Sequence, residues 1–95
     1  GTIMSVLKFG SYDEVIKRAN STSFGLGAGV ITKDLTRGLT FAQRLEAGSV
    51  WVNDYDAIIN QAPFGGFKQS GHGRELGKYG LEAYYEVKTV VVKLV

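Results

Sequence analysis

The closing run Val87-Lys88-Thr89-Val90-Val91-Val92-Lys93-Leu94-Val95 constrains the fold of this chain more than any other feature. Val90, Val92 and Leu94 alternate with Val87, Val91 and Val95, so both faces of a strand drawn here are largely apolar. Such a strand needs cover above and below and a neighbour along its edge. At the rim of a small isolated sheet it invites pairing with other chains. It is therefore expected to complete a sheet elsewhere, in further parts of its own chain or in another subunit. The 95 residues amount to one domain or a part of one.

Upstream, strand-like and helix-like segments alternate. Residues 3 to 9, Ile-Met-Ser-Val-Leu-Lys-Phe, are apolar and strand-like, and Gly10 ends them. Ser11 with Glu14 three residues on makes a capping box, and Asp13 adds negative charge where a helix macrodipole is positive. Val15, Ile16 and Ala19 give that helix an apolar face, and the cluster Asn20 to Ser23 stops it. Residues 26 to 32, Leu-Gly-Ala-Gly-Val-Ile-Thr, predict a buried strand with something packed close against its glycines. Asp34 caps a second helix carrying Leu35, Leu39, Ala42 and Leu45 at helical spacing, with Gly48 as its closing residue. In "SVWVND" a short strand puts Val50 and Val52 on one side and Trp51 on the other. The order β-α-β-α-β predicts an α/β fold with parallel strands joined by right-handed crossovers. A long irregular stretch follows from Tyr55 to Gly73, then a helix near residues 75 to 83, then the final strand. Gly1 opens on a strand-like run with no basic leader, the look of a part of a longer protein or of a residue left by expression.

Several chemistries are excluded by what the chain lacks. Eleven basic and nine acidic side chains leave a net charge of +2, and the basic residues are scattered from Lys8 to Lys93, so nucleic acid is not an expected partner. No apolar run approaches the roughly 20 residues of a membrane span. Without cysteine there is no disulfide, no thiolate metal site and no cysteine nucleophile in these residues. The segment "PFGGFKQSGHGRELG", residues 63 to 77, carries five glycines. Its Gly71, Gly73 and Gly77 are spaced one residue too widely for a dinucleotide fingerprint, and Lys68-Gln69-Ser70 is not a P-loop. A turn-rich crossing between ordered elements is the better reading. His72 is the only histidine and has no companion ligand at a metal-binding spacing, which makes it a turn residue. Asp54 and Asp56 alone make a poor metal site.

Taken in order, "GSVWVN", "PFGGFKQSGHGRELG" and "YYEVKTVVVKL", with "SYDEVIKRAN", "FGLGAGVITKDL" and "AQRLEAGSVWVN" before them, resemble the C-terminal part of the NAD(P)-dependent aldehyde dehydrogenases over essentially the whole chain. The likeness is strongest to the class acting on aliphatic, retinal or betaine-type aldehydes. It implies that residues 1–60 end a catalytic α/β domain, that 61–85 form a glycine-rich crossing at the substrate entrance with its helix, and that 86–95 form an oligomerisation strand. Phe64 matches an aromatic of the aldehyde tunnel, and Asp56, Ala57 and Ile58 match the variable loop at its mouth. An apolar rim suits an uncharged carbonyl substrate. Arg74 and Glu86 match residues that brace the subunit interface, an arginine fork being suited to a carboxylate. Glu75 matches a family carboxylate considered as a proton relay, although an acid at a helix start also serves the helix dipole.

The same resemblance implies a soluble intracellular enzyme, cytoplasmic or of the mitochondrial matrix, that works as a dimer or tetramer with NAD or NADP. Its thiolate nucleophile, its general base and its whole cofactor domain fall outside these residues, so the chain alone is expected to bind no cofactor and oxidise nothing. Thr2 after Gly1 departs from the proline usual there. Two other readings stand beside this one. A β-α-β-α-β chain of this length also suits a stand-alone ferredoxin-like binding module, although "FGGFKQSG" lacks the RNA-recognition pattern. The third is a purely structural unit that serves assembly through its last strand.

Overall fold

A computed structural model describes all 95 residues. Helix α1, Tyr12–Ala19, starts where the local pattern places it, with Ser11 Oγ accepting from the Glu14 N–H at 3.2 Å. The Glu14 carboxylate reaches one residue beyond a standard capping box and accepts from the Gly10 N–H at 2.9 Å. Ile16 faces inward and, at 4% exposure, is the one large apolar side chain fully withdrawn from solvent.

Two strand pairs follow. Strand β1, Phe24–Gly25, runs antiparallel to β4, Phe67–Lys68. Strand β2, Gly27–Val30, runs parallel to β3, Ser49–Val52, with Gly27 opposite Ser49 and Val30 opposite Val52. Helix α2, Leu35–Arg44, makes the crossover between β2 and β3. Asp34 caps it, its Oδ1 accepting from the Arg37 N–H at 3.0 Å. The helix lies close on the sheet because Gly38 leaves room: a Cβ there would come within 2.7 Å of Val52 Cγ1.

Helix α2 ends at Arg44, short of Gly48, the residue expected to close it. The cause is tertiary. The Asn20 amide Nδ2 donates to the Arg44 carbonyl at 2.8 Å while its Oδ1 accepts from the Glu46 N–H at 2.9 Å, so a side chain at the end of α1 caps the end of α2. Gly48 serves a close crossing instead, since a Cβ on it would lie 1.6 Å from the Gly65 carbonyl oxygen.

The stretch expected to be irregular contains β4 and an isolated antiparallel bridge between Phe64 and Glu75. The helix expected over 75 to 83 is shorter and begins later: α3 covers Gly77–Leu81 and a 3₁₀ turn covers Glu82–Tyr84. Leu76 at φ 61° and Gly77 at φ 58° are both left-handed, which prevents an earlier start.

The two expected terminal strands have no partner among these residues. Ile3, Met4 and Val6 are 93%, 82% and 80% exposed, and Val91 and Leu94 are 88% and 91% exposed. The first β of the β-α-β-α-β pattern and the last strand are thus extended segments outside either sheet. A strand is stabilised by a ladder to its neighbour, and neither terminal segment forms one here, each sheet having two strands only. The four-stranded sheet of a ferredoxin-like module is not formed.

The molecule is correspondingly open. Its Cα radius of gyration is 18.7 Å, against about 13 Å for a compact domain of similar length. Its accessible surface is 8259 Å², where a compact monomer of this mass would show about 5,400 Å². No helix is long and apolar enough to cross a membrane.

Candidate functional site

The glycine-rich run folds back on itself into a shallow cup. The Phe64 N–H donates to the Glu75 carbonyl at 2.8 Å and the Glu75 N–H returns a bond to the Phe64 carbonyl at 2.7 Å, so the two ends of the run are tied side by side. Between them lies a depression of about 330 Å³ lined by Phe64, Ser70, His72, Arg74, Glu75 and Leu26, among others. Arg74 holds its limbs together. Its Nη1 donates to the carbonyls of Gly66 at 3.0 Å and Gly73 at 2.6 Å, and its guanidinium lies over the Phe67 ring at 5.7 Å.

The cup is anchored to the α/β unit by polar contacts from β4 and the turn after it. Lys68 Nζ donates to the carbonyls of Asn20 at 2.8 Å and Thr22 at 3.2 Å, and pairs with the Glu46 carboxylate at 2.5 Å. The Asn20 carbonyl belongs to the end of α1, where a helix favours a cation. Ser70 Oγ accepts from the Gly25 N–H at 2.9 Å.

A second loop leaves the C-terminal end of β3. Asn53 and Asp56 both take left-handed backbone conformations, at φ 59° and 62°. Asn53 Oδ1 accepts from the Thr32 N–H at 2.8 Å and fixes the first bend. The Trp51 indole N–H donates to the Ala57 carbonyl at 2.9 Å, and its ring lies 5.2 Å from that of Tyr55 at 60°. The loop is thereby folded back toward β3.

The residues singled out in the sequence fall into three places. Phe64, Arg74 and Glu75 share the glycine cup. Asp56, Ala57 and Ile58 do not line it and are held by Trp51 and the turn around them. Glu86 lies on the exposed tail and forms no ion pair, and Arg74 directs its fork to backbone carbonyls instead of a carboxylate. His72 sits exposed on the cup wall. Sequence reasoning missed two residues that position both loops, Trp51 and Lys68. For Trp51 a signal existed, since a lone tryptophan one strand away from alternating glycines fits the shelf they leave.

Residues 1–90 match the Aldehyde dehydrogenase family. Aldehyde dehydrogenase 1A1 of Gallus gallus is 60% identical over 94 residues, which cover 99% of this chain and 18% of that protein. Aldehyde dehydrogenase, cytosolic 2, of Macroscelides proboscideus is also 60% identical over 94 residues, 99% of this chain and 39% of that one. Among solved structures, the NAD+ complex of aldehyde dehydrogenase from Bacillus cereus superposes with a TM-score of 0.94 at 53% identity, over 100% of this chain and 19% of that one. The chain thus spans less than a fifth of the Gallus gallus and Bacillus cereus proteins. Sequence likeness along nearly the whole length and a superposable backbone agree: the chain belongs to the aldehyde dehydrogenase family.

Proposed function

We propose that these 95 residues serve as the C-terminal part of an NAD(P)-dependent aldehyde dehydrogenase, an oxidoreductase that converts aldehydes to carboxylic acids through a thioester on a cysteine outside them. In this reading residues 1–60 close the catalytic domain, 61–85 form a wall of the substrate entrance, and 86–95 join a neighbouring subunit in a homo-oligomer. Phe64 and the loop of Asp56, Ala57 and Ile58 meet the aldehyde. Arg74 and Glu86 brace the interface around them, and Glu75 stands where a proton relay would run. A cytoplasmic location goes with the reading.

One observation carries it. Only Ile16 among the large apolar side chains is buried, while those of residues 3 to 9 and 87 to 95 stand open to water. Apolar surface of this extent is stable only when covered, at roughly 25 cal/mol for each Å² withdrawn from water. The remaining body of a family member is the natural cover for it.

The nicotinamide cofactor is assigned to other parts of the enzyme in this reading, since the glycines here lack the dinucleotide spacing, no P-loop is present and α3 is five residues long. Nor is there a cysteine to add to the carbonyl. The cofactor and the nucleophile are assigned to the rest of the enzyme.

A graft tests the proposal. The 95 residues replace the matched segment of the Bacillus cereus enzyme, and NADH formation from an aldehyde is followed for the chimera and for the 95 residues alone. An active, soluble chimera beside an inert short chain is expected. Sustained NADH formation by the short chain, or a chimera that never oxidises aldehyde, overturns it.

A further inference from the structure

We propose that Trp51 is a positioning residue that sets the shape of the substrate mouth, and through it the preference between bulky apolar and small aldehydes. The inference rests on the reading that Asp56, Ala57 and Ile58 meet the substrate.

Gly27 and Gly29 are two residues apart on strand β2 and so open on the same face. A Cβ on Gly27 would come within 3.0 Å of Trp51 Cζ3, and one on Gly29 within 3.1 Å of Tyr55 Cδ2. The absent side chains leave a shelf, and two aromatic rings lie on it. Trp51 is paired with Gly29 across the parallel ladder, so its position is set by the sheet and not by the loop. From that fixed base its indole N–H reaches the Ala57 carbonyl at 2.9 Å.

Ala57 follows a left-handed Asp56, a turn conformation that aspartate tolerates better than most residues with a side chain. Asp54 Oδ1 accepts from the Tyr55 N–H at 2.8 Å and tightens the start of the same turn. Asn53 anchors the first bend of this loop to Thr32, and the contacts of Trp51 with Tyr55 and Ala57 tie down the part that leads to Ile58. Directly beyond Ala57 lies Ile58, whose apolar side chain is not packed against these residues, being 53% exposed, and which the reading above turns toward the substrate. An indole suits the task because its apolar body packs on the shelf while its N–H donates. Phenylalanine keeps the first property and loses the second.

The test uses the chimeric enzyme and the ratio of kcat/KM for decanal to that for acetaldehyde. Trp51→Phe is expected to lower this ratio about three- to tenfold, the worth of one net hydrogen bond, with the change carried by the KM for decanal. Tyr55→Ala, a substitution at an exposed position, is expected to move the ratio the same way and decides the matter should Trp51→Phe fold poorly. A purely structural role would depress both aldehydes equally and leave the ratio unchanged. Ile58→Ala separates the two possible failures. If it shifts the ratio while Trp51→Phe and Tyr55→Ala do not, the role of Trp51 is wrong and the mouth reading stands. If none of the three shifts it, the mouth reading fails and takes this inference with it.

Discussion

Glu14 shows how far a single side chain departs from its spacing rule. Its carboxyl is held below the ordinary value of 4.5, first by the Gly10 N–H, then by the charge of Arg18 and the Ser11 N–H, with desolvation opposing them. A carboxylate whose folded pKa is depressed contributes stability that is complete above its unfolded pKa and lost as pH falls through the folded one. The start of α1 is therefore expected to fray as pH drops from 4.5 downward, and an NMR titration of the Glu14 carboxyl should give a midpoint below 4.5. A midpoint at or above that value would contradict the bonding described. Ser11 and Asp34 were legible as caps because their partners lie three residues away. Lys68 was not, because the carbonyls it meets are 48 and 46 residues distant.

Among the elements, α1, α2, β2 and β3 follow from local pattern, whereas the late start of α3 and the two-residue strands do not. Strands β1 and β4 have two residues each, too few for any alternation to register, and exist because Phe24 meets Lys68 and Gly25 meets Phe67. The crossing of the two halves turns on Gly48, where any side chain would strike the Gly65 carbonyl. Gly48→Ala is expected to cost about 1–3 kcal/mol through displacement of the 65–66 backbone. The thermal midpoint of the chimeric enzyme checks this, with Gly10→Ala as comparison, since a Cβ there makes only an ordinary 3.5 Å contact with Glu14. Equal midpoints for the two variants would mean that the close approach is not needed. The glycines of the 63–77 run thus have distinct causes, close approach at Gly65 and a left-handed backbone at Gly77, which composition alone does not separate.

At the scale of the whole molecule the apolar tail governs behaviour. Val87, Val90, Val91, Val92 and Leu94 are all at least 72% exposed, and an extended segment with open backbone groups and apolar side chains pairs with its like. The 95 residues are expected to associate with increasing concentration, and removal of residues 87–95 to reduce that association in sedimentation velocity. Unchanged sedimentation after the deletion would place the sticky surface elsewhere, with residues 3 to 9 the next to remove. Read alone, the sequence determined the two main helices with their caps, the demand of the last run for a partner, and the family, because capping, periodicity and ordered motifs are encoded over a few adjacent positions. Tertiary structure alone decided that Asn20 ends α2, that Arg74 clamps the glycine cup, and that Trp51 ties down the loop before Ile58. Each of these is a hydrogen bond to a backbone carbonyl, an acceptor every residue carries, so only the folded path of the chain selects which one is met.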